Sequence, residues 1–233
     1  MVISEFENLI LSELKKVVEK IIKENLTLPI SAKSRAGAEI SDFLEDEFVL
    51  RTKNHSYFKE VESSPKGATK NPWDVRTFFT IKSHKELVWI DFKAVKISGL
   101  DSNPDIGTPD KIIRLIEDGY FYLVYIFVYY EQFENGLRFV KRENNEYIKI
   151  YFIKDISSTF RRNPKNQFQV NVLAKPEYRT REEFIKVFIK KITESHVRQI
   201  QISERVLKKI KENKIEEKLI NLNKKSEDII KKL

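Results

Sequence analysis

The chain has 233 residues, 43 of them basic and 35 acidic, with no cysteine and three histidines. The lack of cysteine excludes disulfides, zinc ribbons and thiol catalysis, and His55, His84 and His196 lie at no metal-binding spacing. A net charge of +8 favours an anionic partner such as nucleic acid without deciding for one, and no apolar run approaches the ~20 residues that cross a bilayer.

Residues 3–24 carry Phe6, Leu9, Ile10, Leu14, Val17, Val18, Ile21 and Ile22 at helical spacing, with charges between them. No signal-peptide pattern precedes them, so a soluble, cytoplasmic protein is expected. A second helix is expected over 38–48, with Ile40, Phe43, Leu44 and Phe48 on one side. Residues 62–74 read as a polar loop that carries Lys66 and Lys70. Two strands follow, 75–81 and 86–93, with 82–85 as a hairpin turn. After a loop over 98–107, Thr108 and Pro109 open a helix: threonine caps well, and proline at the first helical position forfeits no hydrogen bond. That helix ends near Gly119, and the aromatic and β-branched stretch 120–131 is expected as a central strand. Strand, helix and strand in that order make a crossover unit and imply a mixed sheet.

A turn at Glu134-Asn135-Gly136 is followed by strands near 137–141 and 146–154, which look antiparallel to each other. Residues 161–166 form a basic loop and 167–174 a further strand. Thr180 starts a long helix with Glu183 as its capping-box partner, with breaks expected near Asn213 and over 221–223. The expected fold is α/β of the α+β kind: a mixed β-sheet flanked by helices, with a long C-terminal helical region. The whole chain, 1–233, is expected as one domain, of which 180–233 is a helical extension.

The segment Val88-Trp89-Ile90-Asp91-Phe92-Lys93 carries the chemistry. Side chains alternate along a strand, so Asp91 and Lys93 share one face while Ile90 and Phe92 anchor the other in the core. If the two strands pair as a hairpin, Asp74 at the start of the first comes close to Asp91. Two adjacent carboxylates raise each other's pKa, and a divalent cation removes the penalty. Such a cation also holds a phosphate oxygen and activates water, while the Lys93 amine positions or deprotonates the water or stabilises negative charge.

The pattern Asp74…Asp91-Phe92-Lys93 resembles the PD-(D/E)xK nuclease superfamily, and more narrowly the chain resembles restriction endonucleases of the HincII/HindII kind. Three stretches carry the likeness: Arg35-Ala36-Gly37-Ala38-Glu39; residues 87–119; and Thr180-Arg181-Glu182-Glu183-Phe184 with Lys186, Lys190, Thr193, Arg198 and Ile200. The resemblance implies a restriction-endonuclease-like fold and a homodimer that uses Mg2+ to cut palindromic double-stranded DNA, leaving blunt ends, with a companion DNA methyltransferase acting on the same site. It implies that Asp74, Asp91 and Lys93 are catalytic. Asp74, Asp91 and the Phe92 carbonyl would hold the metal, and Ser102, Asn103 and Asp105 would read bases. Trp73 stands between Pro72 and Asp74, and Ser102 is small where relatives carry a larger amide, so GTNNAC and GTYRAC sites both fit.

Glu39 is a candidate supporting acid, although a solvated helix glutamate is the commoner case. Lys66, Lys70, Arg161, Arg162 and Lys165 are candidates for phosphate contacts. Trp73 and Trp89 flank the acids, and core packing is the more common use of such large aromatics. Two other classes stay open: a repair or recombination nuclease without sequence specificity, and a DNA-binding module in which Asp91 and Lys93 form only a surface pair.

Overall fold

Helix α1, Ile3–Glu24, forms because Phe6, Ile10, Leu14, Val18 and Ile21 recur on one face, and all of them are buried. The computed structural model describes residues 2–30, 36–65, 71, 73–98, 103–119, 122–163 and 166–231. Strand β1, Thr27–Leu28, follows, then α2, Ala36–Thr52, which buries Ile40, Leu44, Phe48 and Thr52 at successive turns. The remaining elements are β2 (Phe58–Ser63), β3 (Val75–Ile81), β4 (His84–Lys96), β5 (Asp105–Gly107), α3 (Pro109–Glu117), β6 (Leu123–Phe133), β7 (Gly136–Phe139), β8 (Ile148–Phe152), β9 (Arg161–Arg162), β10 (Phe168–Gln169), α4 (Arg181–Glu212) and α5 (Ile215–Ile230).

The main sheet runs β1-β7-β6-β4-β3-β2, with β8 also on β6. Strands β3 and β4 are antiparallel and turn through Lys82 and Ser83 alone, with Lys82 at φ 53°. Strands β4 and β6 are parallel, with Asp91 opposite Tyr125, and α3 makes the crossover between them. Every residue from Leu123 to Tyr130 of β6 is buried, which is why that stretch reads as continuous apolar sequence instead of alternating. A second small sheet has the order β5-β10-β9.

Ile90 and Phe92 of β4 join the core formed with α1 and α2, alongside Val75, Phe79, Val124 and Ile126. On the other face Tyr125, Phe127 and Tyr151 make a ring ladder, and the Tyr125 hydroxyl donates to the Ile106 carbonyl at 2.7 Å. Gly119 has φ 80° at the end of α3, a conformation that favours glycine. A side chain at Gly136 would collide with the Leu28 carbonyl, so glycine there lets β7 pass close to β1.

Several expectations are corrected. The strands near 137–141 and 146–154 do not pair with each other: β7 and β8 both lie antiparallel to β6, at its Tyr130–Phe133 and Val124–Val128 portions respectively. The strand expected over 167–174 is only Phe168–Gln169, and the basic loop contributes Arg161–Arg162 as its partner. The helix expected over 38–48 extends across Ala36–Thr52.

The chain divides into two units, Met1–Ile185 and Lys186–Leu233. In the first, Thr180 caps α4 reciprocally: its amide donates to Glu183 Oε2 at 2.8 Å, and the Glu183 amide donates to Thr180 Oγ1 at 3.2 Å. The second holds the rest of α4 and α5, separated by a turn at 213–214; the expected break over 221–223 does not occur. Among the described residues no helix is long and apolar enough to cross a membrane.

Candidate active site

Asp74 sits one residue before β3, where Val75 pairs with Ile90. Its amide donates to the Ile90 carbonyl at 2.8 Å, and its carboxylate Oδ2 accepts the Phe92 amide at 2.7 Å. The carboxylate thus takes a β4 amide just ahead of the first residue of β3. Two residues of alternation then put Asp91 and Lys93 on the same side of β4, with Lys93 Nζ 2.6 Å from Asp91 Oδ1. The two acids and the amine converge as the hairpin argument expects.

The electrostatics reflect confinement. Burial, then the neighbouring Asp91 charge, pushes the Asp74 carboxyl up to about 7. Burial also raises Asp91, against the opposing pull of Lys93. For Lys93, burial disfavours the ammonium, yet the attraction of Asp91, Asp74 and Asp105 outweighs it and raises the pKa. Asp91 Oδ1 is buried and has no donor aligned on it as a hydrogen bond, so its contact with Lys93 is ionic.

These groups line a cavity of about 270 Å³ shared with Asn71, Trp73, Asp105, Lys111 and Gln167. Asp105 opens β5, and its Oδ1 accepts the Asn163 amide at 3.0 Å. Lys111 stands on the first turn of α3, and its backbone amide is capped by Thr108 Oγ1 at 3.3 Å. Sequence reading missed Asn71, Gln167 and Lys111. Lys111 had a signal: it lies one turn into a capped helix that directly follows the D-x-K strand.

Helix α2 approaches from the other face of the sheet. Ser41 Oγ shares its one proton between the Phe92 carbonyl at 3.2 Å and the Gly37 carbonyl at 3.1 Å. One turn further on is Glu45, whose charge contributes to the upward shift of Asp74. Glu39, the expected supporting acid, is exposed on the first turn of α2. Glu45 lies at the i+4 position from Ser41, beside the buried Ile40-Leu44-Phe48 stripe, and that spacing was the available clue.

Asn103 is half-buried ahead of β5. Trp73 borders the cavity and packs against Trp89 with ring centres 6.3 Å apart, while Arg76 lies over the Trp73 ring. Arg161 is exposed and Arg162 half-buried. Ser102, Lys66, Lys70, Lys165 and Arg35 lie outside the described residues. Among the described residues no three histidine or acidic side chains gather as a metal cage.

No curated protein matches the sequence. Among solved structures, a chain described as NlaIV restriction endonuclease matches with 16% identity and a TM-score of 0.46, over 70% of this chain and 66% of that one. A family model described as SwaI-like, SwaI restriction endonuclease, matches residues 2–210. The match supports a restriction endonuclease but not the HincII/HindII kind specifically: the chain belongs to the SwaI-like restriction endonuclease family.

Proposed function

We propose that this protein is a type II restriction endonuclease that hydrolyses phosphodiester bonds in double-stranded DNA with Mg2+ at the Asp74–Asp91 site. The observation that carries the reading is the convergence of Asp74 and Asp91, from two antiparallel strands, on one cavity with Lys93 fixed at 2.6 Å. The donor set fits the ion. Two confined carboxylates, one of them raised to about 7, have an electrostatic penalty that a divalent cation would relieve, and Asp91 Oδ1 has no aligned donor. Magnesium needs only one or two carboxylates and completes its shell with water and phosphate oxygens, so a third acid is not required. Asp74 and Asp91 would hold it, together with the Phe92 carbonyl, whose second lone pair remains when Ser41 occupies the first.

When bound, the ion lowers the pKa of a coordinated water and polarises the scissile phosphate. The chain's own residues orient that chemistry. The Phe92 amide fixes Asp74, the β4 backbone fixes Asp91, and Lys93 points its ammonium into the space where the phosphate and the attacking water would meet. Asn103, just ahead of β5, and Asp105, its first residue, are proposed to read bases, with Ser102 as a third contact. Lys66, Lys70 and Arg161 are proposed to contact phosphates. A homodimer, blunt ends, a palindrome of the GTNNAC or GTYRAC kind and a partner methyltransferase complete the proposal. It treats 180–233 as a helical extension of one domain.

Incubating the protein with plasmid DNA and Mg2+ tests the reading. Discrete fragments support it. A smear would mean a nuclease without sequence specificity, and retardation without cutting would mean a binding module.

A further inference from the structure

We infer that Lys111 is a second catalytic lysine, which contacts a non-bridging oxygen of the scissile phosphate from a different wall of the cavity than Lys93. The inference rests on the nuclease reading and adds a residue to it. Three observations carry it. Lys111 borders the same cavity as Asp74, Asp91 and Lys93, and reaches it from helix α3 instead of the catalytic strand. Its positive charge acts on Asp91, so it lies within electrostatic reach of the reacting centre. Its backbone is fixed: Thr108 caps the turn, Pro109 sets the entry, and Ile112 and Leu115 are buried on the face that holds α3 down.

The charge balance gives the reason. The cavity wall carries Asp74, Asp91 and Asp105, and Lys93 is drawn onto Asp91. A phosphodiester entering this space adds negative charge, and the pentavalent transition state adds more. A cation held 2.6 Å from a carboxylate is already compensated in part. A lysine mounted on a separate, rigid element meets the side of the phosphate that the Asp91–Lys93 pair does not, without moving when charge develops. Neither proton transfer nor a covalent bond to Lys111 is involved; its ammonium stays an ammonium and donates hydrogen bonds to a phosphate oxygen.

The test compares wild type, Lys111→Met and Lys111→Arg on plasmid DNA with enzyme in excess, so that the rate reports the bound complex. DNA retention is measured in parallel with Ca2+ in place of Mg2+. The expected result is a ~100-fold slower cleavage step for Lys111→Met, partial recovery for Lys111→Arg, and retention within about threefold of wild type. Lys111→Met that cleaves within threefold of wild type overturns the inference. So does a defect that disappears at saturating enzyme, because that marks a contact for affinity alone. A wild-type protein that never cuts refutes the nuclease reading itself, a result distinguishable from both. Unchanged thermal midpoints of the variants exclude misfolding as the source of the loss.

Discussion

Two buried ionic clusters in the first unit use the same residue types to opposite ends. In one, Lys154 is 2% exposed and its ammonium meets Glu7 Oε2 at 3.1 Å, Asp155 Oδ1 at 2.9 Å and the Arg179 carbonyl at 2.8 Å. The Arg179 amide returns a bond to Asp155, and its guanidinium reaches the Ile156 carbonyl and Glu177. Two of the ammonium protons are matched by hydrogen bonds to Asp155 and the Arg179 carbonyl, the contact with Glu7 Oε2 is ionic, and none of these groups borders the site cavity. In the other, Asp74 and Asp91 share Lys93, one oxygen lacks an aligned donor, and the group opens on 270 Å³ of space. The closed cluster ties α1 to the chain segments at 153–157 and 177–180. The open one carries an electrostatic cost that a proton or a bound cation would relieve. Each cluster holds one buried oxygen without an aligned donor, so the difference between them is the cavity: only the Asp74–Asp91–Lys93 group borders one.

Four measurements break or sharpen this contrast. Asp91→Ala or Lys93→Ala should reduce cleavage on the order of 10³-fold or more while DNA retention in Ca2+ persists, as plasmid digestion and gel shift would report. A variant that cuts at near wild-type rate would reduce the open cluster to a structural pair. Lys154→Met should do the reverse, costing about 3–5 kcal/mol in urea denaturation, because Glu7 and Asp155 lose their shared cation inside the protein. A loss under 1 kcal/mol would deny that the closed cluster holds the fold.

Next in size, Mg2+ should raise the stability of wild type by about 2–3 kcal/mol at a hundredfold excess over its Kd, and should have no such effect on Asp74→Asn with Asp91→Asn. Equal stabilisation of both would place the ion elsewhere. The last measurement concerns pH in metal-free protein, where the change per pH unit is small. Asp74 has its pKa raised from 3.8 to about 7, so folding takes up a proton. That contribution is complete below 3.8 and is lost as pH rises to about 7, on the order of 1 kcal/mol per pH unit. Asp74→Asn should flatten the profile in that window; an unchanged slope would show that Asp74 is not confined.

What the sequence disclosed is what is local. The Thr108–Pro109 start, the Thr180–Glu183 box and the alternation of Ile90 and Phe92 against Asp91 and Lys93 depend on neighbours a few residues away, and each stands in the structure. The meeting of Asp74 with Asp91 was legible because a two-residue turn links their strands. What stayed hidden arrives through tertiary packing. Lys111 reaches the cavity across a crossover, Glu45 across a helix–sheet contact, and β7 and β8 share one edge of β6 in place of pairing with each other. Glu39 was a candidate because it is an acid early in the helix, whereas the helical stripe at Ile40, Leu44 and Phe48 puts Ser41 on the Phe92 carbonyl and the Glu45 charge within reach of Asp74.

The β3–β4 hairpin works as a calliper. Its two arms are ladder-paired from Ile81 and His84 up to Val75 and Ile90, so the gap between Asp74 and Asp91 is set by arm length, not by the identity of the residues between. Inserting one residue in either arm would turn Asp74 to the wrong side of the sheet. Extra residues at Lys82 and Ser83 would only lengthen the tip. Drift over evolutionary time should therefore rewrite the tip and the outward positions of this hairpin freely while keeping its residue count fixed.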